Sequence, residues 1–141
     1  MTPLSGPVRR TLPATRQAVD DFCADLRANL LASLPANERF AVELLLREAL
    51  INAVVHGTAD QVDAEIGCEL RPIEGGIEIR VSDGGAGFDW RNRAGMEPAA
   101  FAESGRGLLI LRRYASNVQF SSSGNQVAMT RMFSPRGIDE L

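Results

Sequence analysis

Glu48 and Asn52 are the residues whose types and spacing most directly suggest chemistry. They lie four positions apart in the run 38–57 (ERFAVELLLREALINAVVHG), which reads as one long helix, so both side chains project from the same face. The rest of the run is apolar on almost every side, as expected for a helix in a core. Placing a carboxylate and an amide there costs about 2–7 kcal/mol unless each finds a partner. Taken alone, the pair fits either a face that meets a polar ligand or core-edge residues satisfied by neighbouring backbone.

A second candidate is the segment 83–87 (DGGAG), which follows a predicted strand. Asp-Gly is a strong hairpin signal, but the next segment does not alternate as a returning strand would. Glycines at Gly85 and Gly87 would let a ligand approach the backbone closely, and the Asp83 carboxylate could accept a hydrogen bond from an exocyclic amine. The dinucleotide-binding fingerprint would need another glycine at position 90, which is Trp90.

A third candidate is the segment 104–108 (SGRGL), at the start of a predicted helix. Backbone N–H groups at a helix N-terminus attract phosphate, and glycines remove the side chains that would block it. Arg106 could add a charge-assisted contact. The alternative interpretation is an ordinary helix start with a solvated arginine.

The elements that must position these segments follow from hydrophobic periodicity. Alternation with a period of two predicts strands, and apolar spacings of three and four predict helices. Thr15 and Asn37 are expected to cap the first two helices, and Gly57 to end the second. This order predicts an α+β fold in one domain spanning 1–141, a two-layer sandwich with helices on one face of a mainly antiparallel mixed sheet. The predicted strands are 8–12, 62–71, 77–82, 117–122 and 126–133, and the predicted helices are 16–34, 38–57 and 108–115.

The composition excludes several classes of protein. All fifteen basic residues are arginine, and both the P-loop and the eukaryotic-type kinase site need a lysine. A net charge of −3 argues against a nucleic-acid binder. A single histidine and two cysteines, Cys23 and Cys68, argue against a zinc site or a disulfide framework, so both thiols are expected to be buried and reduced. Neither a membrane span nor a signal peptide is expected, so the sequence predicts a cytoplasmic protein.

The three motifs together form an ordered set: Glu-x-x-x-Asn on a buried helix, Asp-x-Gly-x-Gly after a strand, an irregular loop, and Gly-x-Gly-Leu at a helix start. This set resembles the Bergerat-type ATP-binding fold of the GHKL superfamily, shared by bacterial histidine kinases, gyrase, the Hsp90 chaperone and MutL. The resemblance covers about 15–133. Within that group, the short chain and the phrase EALINAVVHG at 48–57 resemble the anti-sigma factor serine kinases of the RsbW and SpoIIAB type.

The resemblance implies roles for individual residues. Glu48 matches the general base that takes the proton of the incoming serine hydroxyl, and Asn52 matches the Mg²⁺ ligand that bridges the metal to the triphosphate of ATP. Asp83 matches the residue that binds the adenine amino group. A lid over the nucleotide is implied at 88–104, and His56 is expected to cap or pack the helix end. The remaining implied ATP-binding residues are Gly85, Gly87, Gly105, Arg106, Gly107, Leu108 and Asn125, the last replacing a common threonine.

The function that the resemblance implies is an ATP-dependent protein serine kinase. It would phosphorylate a STAS-domain anti-anti-sigma partner and sequester a sigma factor, and it is expected to be a homodimer that binds neither nucleic acid nor membrane. Two alternatives remain: a non-catalytic ATP-binding interaction module, and a switch kinase that controls a phosphatase. The chain lacks a phosphoacceptor histidine and a dimerising helical hairpin, so an autophosphorylating sensor kinase is not supported.

Overall fold

The computed structural model describes residues 6–57, 63–83, 107–121 and 126–133. The strands are β1 (Val8–Pro13), β2 (Glu65–Ile73), β3 (Gly76–Asp83), β4 (Asn117–Phe120) and β5 (Gln126–Met132). The helices are α1 (Arg16–Asp25), α2 (Ala36–Asn52) and α3 (Gly107–Tyr114). Two π-helical turns, Leu26–Leu30 and Ala53–Gly57, continue α1 and α2.

The five strands form one sheet in the order β1-β2-β3-β5-β4, and every pairing between them is antiparallel. Leu70, Ile79 and Met129 are matched across the three central strands and are fully buried. Because side chains alternate between the faces of a strand, this row belongs to the face that packs against the helices. The predicted α+β fold is confirmed, as is the edge strand before the first helix.

The core lies between this sheet face and the helices. Val19, Phe22 and Cys23 of α1 are buried, and α2 contributes a larger apolar set. Each fully buried aliphatic side chain contributes roughly 1.5–3 kcal/mol. Burial raises the pKa of the Cys23 thiol and raises the pKa of Cys68 to about 12, and both cysteines are free, as predicted. No helix within the described residues has both the length and the hydropathy needed to cross a bilayer.

The helix ends differ in part from the prediction. Thr15 caps α1 as expected, since its hydroxyl accepts a 3.1 Å hydrogen bond from the Ala18 N–H. The predicted cap at Asn37 is wrong. The Pro35 carbonyl accepts the first helical bond of α2, from the Arg39 N–H at 2.9 Å, which makes Pro35 the N-cap residue. Asn37 therefore lies inside the first turn of the helix.

The prediction that α2 is apolar on almost every side also needs correction. Phe40 is 57% exposed, although its ring packs edge-on against Tyr114 with centroids 6.1 Å apart. Glu43, Leu44 and Arg47 are only half-buried. The helix thus has one buried face and one face at the protein surface, and the predicted polar pair lies at the boundary between them.

Candidate functional site

A cleft of about 350 Å³ contains both Glu48 and Asn52. Ligand sites in proteins typically measure about 300–1,000 Å³, so the cleft is large enough to accept part of a nucleotide or a side chain of a partner. Its walls come from α1, from the last turns of α2 and from the π-helical turn that follows. The lining residues are Arg16, Asp20, Arg47, Glu48, Ile51, Asn52 and Val55.

The orientation of the Asn52 side chain is set by one hydrogen bond. Its Nδ2 donates to the backbone carbonyl of Glu48 at 2.8 Å, and the residue is 8% exposed. Only the nitrogen of a side-chain amide can donate, so the Oδ1 atom is the one directed away from this bond. An amide oxygen and a carboxylate are both hard oxygen donors, the kind that Mg²⁺ binds, and the two residues line the same cleft.

The oxygen donors in the cleft suit Mg²⁺ bound together with substrate phosphates better than a metal held only by protein side chains. No group of three or more His, Cys, Asp or Glu side chains that could hold a metal occurs within the described residues. Mg²⁺ usually keeps several waters and binds through one or two protein ligands together with substrate phosphates. Asn52 can therefore serve as a protein ligand for Mg²⁺ that arrives with a nucleotide.

Ion pairs hold one wall of the cleft in place. Arg47 donates to Asp20 at 2.6 Å, which joins α2 to α1. Glu43, one helical turn before Arg47, accepts two hydrogen bonds from Arg27, at 2.9 and 2.7 Å. These bonds hold the pKa of the Glu43 carboxyl below its usual range, in spite of the opposing effect of burial. The result is a chain of alternating charges along the α1–α2 junction.

Asp83 is the last residue of β3 and pairs with Ile66 of β2. It has the same parity as the buried Ile79 and Val81, so it lies on the sheet face that carries the helices. The strand also packs against the π-helical turn Ala53–Gly57, which contains His56 and follows directly after Asn52. Strand β3 and the C-terminal end of α2 are therefore neighbours.

The other predicted site residues are only partly covered by the structure. Gly107 and Leu108 are the first two residues of α3, so the predicted helix does begin at the end of the third motif. Gly85, Gly87, Gly105, Arg106, Asn125 and the lid at 88–104 lie outside the described residues. Their assigned roles stay predictions, as do those of Glu48, Asn52 and Asp83.

Sequence reasoning missed Arg16, Asp20 and Arg47 as cleft residues. The Arg47–Asp20 pair joins residues 27 positions apart on two helices, and no local pattern indicates such a contact. The sequence did offer one signal for Arg47: it is a charged residue in the mostly apolar α2, and it immediately precedes Glu48.

Comparison with known proteins identifies the family. The model of the histidine kinase-like ATPase domain matches residues 12–131. The chain belongs to this family. It is also similar to the serine-protein kinase RsbW of Listeria innocua serovar 6a and to that of Listeria monocytogenes serovar 1/2a. Each is 27% identical over 108 residues, which cover 70% of this chain and 69% of the relative. The predicted resemblance to RsbW-type proteins is thereby confirmed.

Proposed function

We infer that this histidine kinase-like ATPase is an ATP-dependent protein serine kinase, built as a single domain over 1–141. The observation that carries the proposal is the cleft in which the Glu48 side chain and the fixed amide of Asn52 lie one helical turn apart. Its membership of an ATPase family and its similarity to proteins named serine-protein kinases support the same function.

In the proposed reaction, Glu48 accepts the proton of a serine hydroxyl as the serine oxygen bonds to the γ-phosphorus of ATP. The bond from that phosphorus to the bridging β–γ oxygen breaks, and ADP leaves. Asn52 would hold Mg²⁺ through Oδ1, and the metal supplies charge neutralisation on the phosphates when bound. Asp83 would accept a hydrogen bond from the adenine amino group. Gly85, Gly87, Gly105, Arg106, Gly107, Leu108 and Asn125 would complete the nucleotide site.

The proposed acceptor is a serine of a STAS-domain anti-anti-sigma protein. When that serine is phosphorylated, the kinase would capture a sigma factor, and it would act as a homodimer. The similarity to RsbW proteins supports this choice. A non-catalytic ATP-binding module is the alternative, and Glu48 argues against it because nucleotide binding alone needs no base at that position.

The test is phosphoryl transfer from γ-labelled ATP to a STAS-domain protein from the same genome. Glu48→Gln should lower the rate by at least about 100-fold, the usual contribution of a general base, while ATP affinity by calorimetry stays near wild type. Glu78→Gln is the matched control, because Glu78 is half-buried like Glu48, but it is paired with Arg80 and is not among the residues that line the cleft. Normal transfer by Glu48→Gln would refute the base assignment. ATP binding without transfer by the wild type would favour the interaction module.

A further inference from the structure

Arg131 occupies a core position of the sheet. On β5 it follows Val127 and Met129 at alternating positions, and those two side chains are buried on the helix-covered face. Its own side chain is 12% exposed, and that of its partner Glu38 is 2% exposed. Burying two charges is costly unless their geometry and their other hydrogen bonds are good. The position of this pair therefore requires an explanation that the cleft does not supply.

The Arg131 guanidinium joins three elements. Its Nε donates to Glu38 Oε1 in the first turn of α2 at 2.7 Å, and its Nη1 donates to the carbonyl of Tyr114, the last residue of α3, at 2.8 Å. The carbonyls of a last helical turn lack partners within the helix, and a cation there complements the helix dipole. The carboxylate of Glu38 likewise lies at the positive end of α2.

Other contacts fix the same end of α3. The Phe40 ring packs against that of Tyr114 at an interplanar angle of 74°. The Ser116 N–H donates to the Thr130 carbonyl at 2.7 Å, and the Ser116 hydroxyl accepts from the Met132 N–H at 3.0 Å. The C-terminal end of α3 is therefore held by both α2 and β5. The eight-residue helix places its first residue, Gly107, about 10.5 Å from Tyr114 along the axis.

A buried ion pair adds little net stability compared with apolar residues of similar volume, so stability alone does not account for this one. The planar fork of an arginine, in contrast, fixes the direction of two bonds at once. We propose that Arg131, held by Glu38, is a positioning residue for nucleotide binding. By fixing the far end of α3, it sets the direction in which the helix presents Gly107 to the phosphates. This inference rests on the ATP-dependent function proposed above.

The test separates positioning from stability with Arg131→Met and the double variant Glu38→Leu/Arg131→Met. The single variant leaves Glu38 buried without the arginine, so its Tm should fall. The double variant removes both charges and should recover most of that loss. The double variant still lacks the donor to the Tyr114 carbonyl. If Arg131 positions α3, the Kd of the double variant for Mg·ATP should therefore stay raised by about tenfold, within the range of measured couplings between sites.

Hydrogen exchange of the nucleotide-free protein gives a readout independent of ATP. Amides of α3 should exchange faster in the double variant than in the wild type, while those of α1 stay unchanged. Arg80→Met is the control, because the Arg80 Nε also donates to a glutamate, Glu78 at 3.2 Å, but Arg80 is exposed on β3 and is not among the residues that line the cleft. It should change neither the Kd nor the exchange of α3.

The proposal fails if ATP affinity or α3 exchange returns to the wild-type value together with the Tm. If the double variant does not fold, Arg131→Lys takes its place, since it keeps a cation beside Glu38 and loses the forked second donor. If the wild type itself does not bind ATP, the proposed function is wrong. The exchange comparison would then still decide whether the pair fixes α3.

Discussion

Asn52 illustrates what can and cannot be predicted for a single residue. Its four-residue spacing from Glu48 places the two side chains on one helix face, and that much follows from helix geometry. The sequence could not indicate that the amide nitrogen bonds to the Glu48 carbonyl and that the amide oxygen takes no part in this bond. This detail depends on a rotamer, and it decides whether the side chain can serve as a metal ligand.

A second single residue, Asp83, gives a testable prediction about ATP affinity. Asp83→Asn should weaken ATP binding by roughly 1–3 kcal/mol, because one charge-assisted hydrogen bond to the adenine amine is lost. Isothermal titration calorimetry measures the change. Asp63→Asn is the matched control: Asp63 is exposed at φ 57°, a conformation that asparagine tolerates well. Equal affinities for the wild type and Asp83→Asn would remove Asp83 from the adenine site.

At the scale of elements, the alternating strands were predictable because one face of each is buried. Ile66, Cys68 and Leu70 define β2, although the strand begins at Glu65, later than predicted, and continues to Ile73. The two π-helical turns were not predictable. A π-helical turn has no distinct hydrophobic period, and its extra residue is accommodated by packing against other elements. The π-helical turn Ala53–Gly57 follows directly after Asn52, the last residue of α2.

In the β2–β3 hairpin, the testable prediction is the effect on stability of a side chain at Gly76. A Cβ atom at Gly76 would lie 2.3 Å from the Arg131 carbonyl oxygen and 3.0 Å from the Met132 Cα. These are backbone atoms of β5 and cannot move aside without disturbing the sheet. Gly76→Ala should therefore lower the free energy of unfolding by about 1–3 kcal/mol, the usual cost of overpacking. Urea denaturation measures it.

Gly6→Ala provides the comparison for that experiment. Among the residues that the structure describes, and apart from the immediate chain neighbours, no atom lies within 4 Å of a Cβ built at Gly6. Its effect should stay within about 0.5 kcal/mol, as is usual for surface substitutions. Equal unfolding free energies for Gly76→Ala and the wild type would show that β5 can shift away from β3 at this point.

For the whole molecule, the two layers were predictable and the strand order was not. Polar residues on one face of each strand indicate a sheet covered by helices on the other face only. The placement of β5 beside β3, with β4 at the edge, depends on contacts between residues about 50 positions apart, such as Ile79 and Met129. Antiparallel pairing between distant strands leaves no signal in local periodicity. The Glu38–Arg131 pair, 93 positions apart, was missed for the same reason.

For the whole molecule, the testable prediction concerns how the free energy of unfolding depends on pH. Because the pKa of Glu43 is lowered in the folded state, the stability it contributes is present at pH 7 and is lost as pH falls through that lowered pKa. The wild type should exceed Glu43→Gln in unfolding free energy by about 1 kcal/mol or less at pH 7, the usual range for ion pairs near a surface.

Urea titrations between pH 7 and acid measure this difference, which should shrink as the Glu43 carboxyl becomes protonated. The same substitution in an Arg27→Met background should give a smaller difference with a weaker pH dependence, since Arg27 is the main cause of the lowered pKa. A difference between wild type and Glu43→Gln that stays constant across the acid range would contradict the assignment.

The edges of the sheet limit how other chains can attach to it. Strand β1 carries Arg9 and Arg10 and ends at Pro13, and β4 is only four residues long. Charged side chains, proline and shortness each discourage an incoming peptide from extending a sheet by main-chain hydrogen bonding. A protein that binds this molecule should accordingly contact its side chains and should not extend the sheet at β1 or β4.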